Sequence, residues 1–199
     1  MIPELSEHER DAILEIFNMG VGAAGGVLSE MIGTEVLLSL PKIELVERSA
    51  LKEDTSRALS AVEQTFDAPF GTGKAVLAFP EERSLSLIGA LMGATAGLES
   101  LTGMEEEALT EVGNIILNAC LARLSDLARE EIEVGVPRFQ RASCLDAVLE
   151  DGDGEDGILL LDVQFDLKDR EIEGRLLFLV ETVRLRAFIQ IVEASLLGT

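Results

Sequence analysis

The 199-residue sequence has no tryptophan, no tyrosine and one histidine, His8. It lies near the start of an exposed first turn and can anchor neither a Ser-His-Asp triad nor a zinc site. No serine or cysteine has a base at a recognisable spacing, which leaves covalent nucleophilic catalysis without machinery. The two cysteines, Cys120 and Cys144, form no metal or redox motif. Cys120 falls among apolar residues of a helical pattern and reads as a buried thiol. Phenylalanine, eight times, is the only large aromatic, so the interior has to be built mainly from Leu, Ile, Val and Ala.

Basic residues are also scarce: 16 Lys and Arg face 37 Asp and Glu, for a formal net charge of −21. That balance supplies no basic footprint for nucleic-acid phosphates and no attraction to an anionic membrane, and the acidity reads as solubility. Residues 1–5 show no signal-peptide pattern, and no apolar run reaches the ~18 residues needed to span a bilayer. The expected location is the cytoplasm. At 47% hydrophobic residues, the chain can bury a sizeable core as a single domain over 1–199.

What is present is a sparse signature used twice. Asp11, Glu15, Asn18 and Pro41 recur as Glu107, Glu111, Asn114 and Pro137, each 96 residues later. A constant offset across separated landmarks indicates one unit used twice, with pseudo-repeat halves at about 6–97 and 102–197. Ser6 with Glu9 makes a capping box that opens a helix to about Ile32, where Gly33 supplies the stop. On a helical wheel Ile13, Phe17, Ala24, Val27 and Met31 form its core face. Asp11, Glu15, Asn18, Gly22, Gly25 and Ser29 lie opposite, within about 80° of one another.

After Pro41 the pattern predicts an apolar stretch, a polar linker (49–56), strands near 59–66 and 74–79 joined at Gly71-Thr72-Gly73, and a helix over 81–92. A loop is expected from 89 to 97. The pattern then restarts with a long helix from about Thr102 to Arg129, whose core face carries Leu109, Ile116, Cys120 and Leu127. Its opposite stripe reads Glu107, Glu111, Asn114, Asn118, Leu121 and Ser125. Strands are predicted at 132–136, 158–167 and 172–181, followed by a helix to about Leu197. Antiparallel hairpins rather than βαβ units imply an α+β fold with pseudo-twofold symmetry, built from duplicated helix–strands–helix units with the two motif helices exposed on one face.

Two apparent motifs fail on context. Gly20–Gly25 matches G-x-G-x-x-G, but the dinucleotide fingerprint needs a strand before it and a helix opening at it, whereas this run sits inside a capped helix. The run Asp151-Gly-Asp-Gly-Glu-Asp-Gly157 lacks the glycine, the terminal glutamate and the flanking helices of an EF-hand, and reads as a solvated hairpin loop.

The stripes carry the chemistry. An Asn amide offers two donors and an acceptor and can position a water without being a strong base. A Glu three residues away shares its helix face and can pair with a partner's lysine. That combination suits hydrolysis of an already activated phosphoryl group, as with the water-positioning amide in GTP hydrolysis.

At these residues the chain resembles the CheC/CheX/FliY family of chemotaxis phosphatases, whose pattern is Asp or Ser, three residues, Glu, two residues, Asn, about twenty-two residues, then Pro. The first copy fits fully, and the second departs only at Glu107. The segments 17–24 and 111–115 also look like the family's two helices. The resemblance implies that the substrate is the phosphorylated response regulator CheY. It implies that Asn18 and Asn114 orient the attacking water and that Glu15 and Glu111 pair with the receiver's lysine, with Asp11, Pro41, Glu107 and Pro137 as motif support. No cofactor is then bound by this chain, because Mg2+ arrives with the receiver. Two motifs and no added domain look most like CheC, whose members also bind the receptor deamidase CheD. The alternative is a weakly catalytic or non-catalytic binding module for CheD or a receiver.

Overall fold

The computed structural model describes residues 5–47, 58–91, 103–129, 131–143, 157–167, 170–180 and 182–196. Among the described residues eleven elements follow in order: α1 (Glu7–Ile32), β1 (Val36–Glu47), β2 (Leu59–Ala68), β3 (Gly71–Pro80), α2 (Glu81–Leu91), α3 (Gly103–Ala128), β4 (Glu133–Val134), β5 (Arg138–Ala142), β6 (Gly157–Leu167), β7 (Arg170–Val180) and α4 (Thr182–Leu196). The α+β architecture and its pseudo-twofold symmetry are those expected from the sequence.

The local signals act as expected on α1. Ser6 Oγ accepts from the Glu9 N–H at 3.2 Å, and Glu9 Oε2 accepts from the Ser6 N–H at 2.6 Å. Hydrogen bonding of the Glu9 carboxylate to the Ser6 side chain first, and to the Ser6 N–H second, holds the carboxyl below its ordinary value. Gly33, at φ 69°, ends the helix in the left-handed conformation that glycine adopts without strain. Helix α3 is also 26 residues long, and the offset of 96 takes Glu7 to Gly103 and Ile32 to Ala128.

All described strands join one antiparallel sheet, ordered β1-β6-β7-β3-β2, with β4 and β5 both pairing β2 at the far edge. The order is palindromic. In each half the first strand leaves its own hairpin and pairs with the second strand of the other half: β1 on β6, β4 and β5 on β2. At the centre Leu77 pairs with Leu176, flanked by Val76 with Leu177 and Ala78 with Arg175. An offset of 99 exchanges the members of these pairs, which places the pseudo-twofold axis at Leu77 and Leu176. Strand alternation sends Val62, Ala75 and Leu77 to the main core beneath the helices. Their neighbours Ala61, Val76 and Ala78 join a second cluster on the other sheet face.

Several side chains and turns depart from the sequence-based expectation. Gly71-Thr72-Gly73 belongs to β3, and the chain reverses between Ala68 and Gly71 instead. The stretch before and after Pro41 is one strand, β1, and β5 is a strand the alternation did not reveal. Val27 and Met31, assigned to the core face, are 52% and 53% exposed. Gly25 and Leu121, assigned to open stripes, are buried. Gly25 lies against β1, where a Cβ would come within 3.0 Å of the Val36 carbonyl. Helices α1 and α3 cover the core from one side and the strands from another, so the buried arc is wider than a single wheel face. Helix α1 is, against expectation, long and apolar enough to cross a membrane, but half of that window is buried inside the protein, as in a core helix. The linker 49–56, residues 92–97, Thr102, Cys144 and residues 151–156 lie outside the described residues.

The two long helices touch at a glycine. A Cβ on Gly20 would come within 2.9 Å of the Cys120 Cα, a backbone atom that cannot turn aside. Gly20→Ala is expected to force the helices apart and cost about 1–3 kcal/mol, whereas Gly26, with open space around it, should gain about 0.5–1 kcal/mol as alanine from helix propensity. Urea titration of both variants checks the contrast. Cys120 is buried here, and desolvation pushes its thiol from 9.0 up to about 12. The folded state therefore binds the extra proton above pH ~9, and its stability should decline as pH rises from there toward 12. Peptide mapping after iodoacetamide treatment at pH 8 should find Cys120 unmodified in the folded protein and alkylated in urea.

Candidate functional site

Each edge of the sheet carries the first strand of one half, and each such strand is broken at the motif proline. In β1 the register with β6 slips between Ser39 and Lys42, so Leu40 and Pro41 form the irregularity. At the other edge β4 stops at Val134 and β5 begins at Arg138, leaving Gly135, Val136 and Pro137 between them. Proline has no N–H to donate, and sheets tolerate it at edges and bulges. The break leaves backbone groups without ladder partners, and the motif asparagines lie where those groups emerge.

Asn18 projects from α1 toward the first break. Its Oδ1 accepts the Leu40 N–H at 3.0 Å, immediately before Pro41. This contact gives the 22-residue gap between Asn and Pro a physical meaning: the amide satisfies a donor that the broken strand has released. The Asn18 side chain is exposed, and its NH2 group donates to no described residue. Rotation of the helix is set from the other side, where the neighbouring Phe17 is buried against Phe178 at a centroid distance of 4.7 Å.

Asn114 projects from α3 toward the second break, but into more company. Its Oδ1 accepts from Asn118 Nδ2 at 2.7 Å and from Gln64 Nε2 at 3.2 Å. The same Gln64 nitrogen reaches Asn118 Oδ1 at 3.3 Å and the Gly135 carbonyl at 3.1 Å. That carbonyl can only accept, which fixes Gln64's nitrogen as the donor end. Gln64 is 3% exposed, and its own Oε1 is buried with no hydrogen-bond partner among the described residues. An orphaned buried oxygen costs about 1–3 kcal/mol, so the protein sustains this amide against its stability.

Packing explains why the copies differ. The position equivalent to Phe17 is Gly113, where a Cβ would fall 2.6 Å from Val62 atoms of β2. Without a side chain there, α3 settles onto the sheet and Asn114 is half-buried within reach of Gln64. In the first copy the equivalent position is filled by the buried Phe17, and Asn18 reaches strand backbone alone. Register completes the comparison. Leu38 pairs with Phe165 and Val134 with Phe66, so Gln64 corresponds to Val163 in β6. Asn118 corresponds to Gly22, which is exposed with open space where a side chain would start.

The carboxylates lie where the stripes put them. Asp11, Glu15, Glu107 and Glu111 are all exposed, and no hydrogen bond or ion pair with a described residue engages Glu15 or Glu111. Each is one helical turn from its asparagine and open to a cation from outside. Among the described residues no group of three His, Cys, Asp or Glu side chains is placed to hold a metal ion. Sequence reasoning brought together Glu15 with Asn18 and Glu111 with Asn114. It did not find Gln64, whose only signal is a polar residue at a core-facing position of an alternating strand.

Each site is thus an exposed carboxylate, an amide anchored through its oxygen, and a broken edge strand beneath them. No family model matches the sequence. The flagellar motor switch phosphatase FliY of Bacillus subtilis (strain 168) is 27% identical over 176 residues, covering 86% of this chain and 45% of FliY. The chain therefore spans less than half the length of that relative. A protein of Halobacterium salinarum named "Putative CheY-P phosphatase CheC1" is 25% identical over 174 residues, covering 81% of this chain and 85% of its own length. The crystal structure of Thermotoga maritima FliY shares the fold at a TM-score of 0.76 and 17% identity, covering 97% of this chain and 100% of that one. Duplicated motif, fold and relatives agree: the chain is similar in sequence to proteins named FliY and CheC1 and shares the fold of FliY.

Proposed function

We propose that this chain hydrolyses the aspartyl phosphate of a phosphorylated CheY-type receiver in the cytoplasm, acting at two pseudo-equivalent sites. The observation that carries the reading is that the two amides occupy equivalent places in the twofold, each anchored through its oxygen beside an exposed glutamate. The name of a relative that this chain matches over most of its length points to the same substrate.

In the proposed reaction a water attacks phosphorus in line with the bond to the receiver's aspartate. That bond breaks, the receiver recovers its carboxylate, and inorganic phosphate leaves. Asn18 or Asn114 inserts beside the phosphoryl group and holds the water through the polar atoms of its side-chain amide. Glu15 or Glu111 pairs with a receiver lysine and so fixes the approach. Mg2+ belongs to the receiver substrate and neutralises charge on the phosphoryl oxygens. This chain supplies position, not a nucleophile. Asp11, Pro41, Glu107 and Pro137 shape the helix faces and strand breaks around these groups.

A second reading is a binding module that holds a receiver, or CheD, with little turnover. One observation favours it at one place: the Asn114 oxygen already accepts two hydrogen bonds.

Asn18→Ala combined with Asn114→Ala is expected to abolish the acceleration of phosphate release, since removing one well-placed polar group commonly costs about 10²–10³ in rate. The loss can be read on folded protein, because the single bond from Asn18 to Leu40 contributes about 1 kcal/mol. Phosphate release from phosphorylated CheY in the presence of each variant is the measurement. A double variant as active as the unaltered chain would overturn the proposal.

A further inference from the structure

The two asparagines differ in what their oxygens can still do. A carbonyl-type oxygen has two lone pairs. Asn18 Oδ1 gives one to Leu40 N–H and keeps one. Asn114 Oδ1 gives both, one to Asn118 Nδ2 and one to Gln64 Nε2, whose two hydrogens are shared among Asn114 Oδ1, Asn118 Oδ1 and the Gly135 carbonyl. A water aligned for in-line attack points a lone pair at phosphorus, so its hydrogens need acceptors. Asn18 can be such an acceptor as it stands. Asn114 can donate from its NH2 group but has no lone pair left to take a water hydrogen.

We propose that Gln64 and Asn118 are positioning residues that hold Asn114 in a donor-only state, so that the second site engages a receiver but turns it over slowly while the Asn18 site carries hydrolysis. The inference rests on the phosphatase reading above. Three independent features support it. Gln64 keeps its place although its own Oε1 is buried with no partner among the described residues. The Gly135 carbonyl in the strand break holds its donor end in position. The first site has a valine and a glycine, Val163 and Gly22, at the equivalent places and so has no side-chain donors there.

The test isolates the second site in an Asn18→Ala background and measures kcat and KM for phosphate release from phosphorylated CheY. Asn18→Ala alone should lose most of the activity. Adding Gln64→Met, which keeps the volume and removes the donor, together with Asn118→Ala should raise the remaining kcat about tenfold, the equivalent of one modest transition-state hydrogen bond. KM should stay within about twofold, because the receiver-binding carboxylate is untouched. A gain in kcat at constant KM is not a result that structural damage produces. Asn118→Ala by itself, at a half-buried helix position where alanine is the better helix former, should give a smaller gain and keeps the test open if the Gln64 variant does not fold. Unchanged or reduced kcat in a folded Asn118→Ala variant overturns the proposal. The unaltered chain, run alongside, separates the two levels. If it accelerates release and the variants show no gain, this proposal fails alone; if it does not accelerate release, the phosphatase reading fails and this proposal with it.

Discussion

Antiparallel pairing of β3 with β7 about Leu77 and Leu176 is the constraint from which the remaining geometry follows. It fixes the pseudo-twofold axis at the middle of the sheet and turns each half's first strand outward onto the other half's hairpin. Because those strands are exchanged, neither half could complete its own edge. Both edges of the sheet are therefore made from equivalent chain segments, and both are interrupted at the motif proline. An edge strand is a hazard unless it is short, bent or covered, and here the breaks answer that hazard while releasing backbone groups for Asn18 and Gln64 to satisfy. The candidate sites lie at the two ends of the sheet because the symmetry axis lies at its centre.

Signals that act over one or two helical turns were legible in the sequence. The Ser6 and Glu9 box and the Gly33 stop placed α1 correctly, and the offset of 96 anticipated a second helix of the same 26 residues. The hairpins β2–β3 and β6–β7 follow a different offset, 99, which no motif marks because their residues share only an apolar alternation. Strand β1 was hidden by its own proline, which normally argues against a strand. A wheel cannot say how many neighbours a helix will have, and so Gly25 and Leu121 were assigned to solvent while Val27 and Met31 were assigned to the core.

At the site, the residues on a common helix face were legible and the residue reaching them from elsewhere was not. Glu15 with Asn18 and Glu111 with Asn114 follow from spacing within one helix. Gln64 stands 50 residues from Asn114 on β2 and meets it only because Gly113 lets α3 settle onto Val62. The proline spacing was visible as a pattern without a cause, and the Asn18 bond to the Leu40 N–H supplies one. Glu107 was the departure noticed in the second copy. The larger difference lies beneath the helices, in Phe17 against Gly113 and Val163 against Gln64.

In the proposed function this acidic chain supplies position to a reaction whose activated bond and cation arrive with the partner. The decay of phosphorylated CheY, followed by release of labelled inorganic phosphate with and without stoichiometric amounts of the unaltered chain, tests that claim most directly. The account predicts faster release that saturates with increasing phosphorylated receiver. Binding of the phosphorylated receiver with an unchanged rate of release would contradict it.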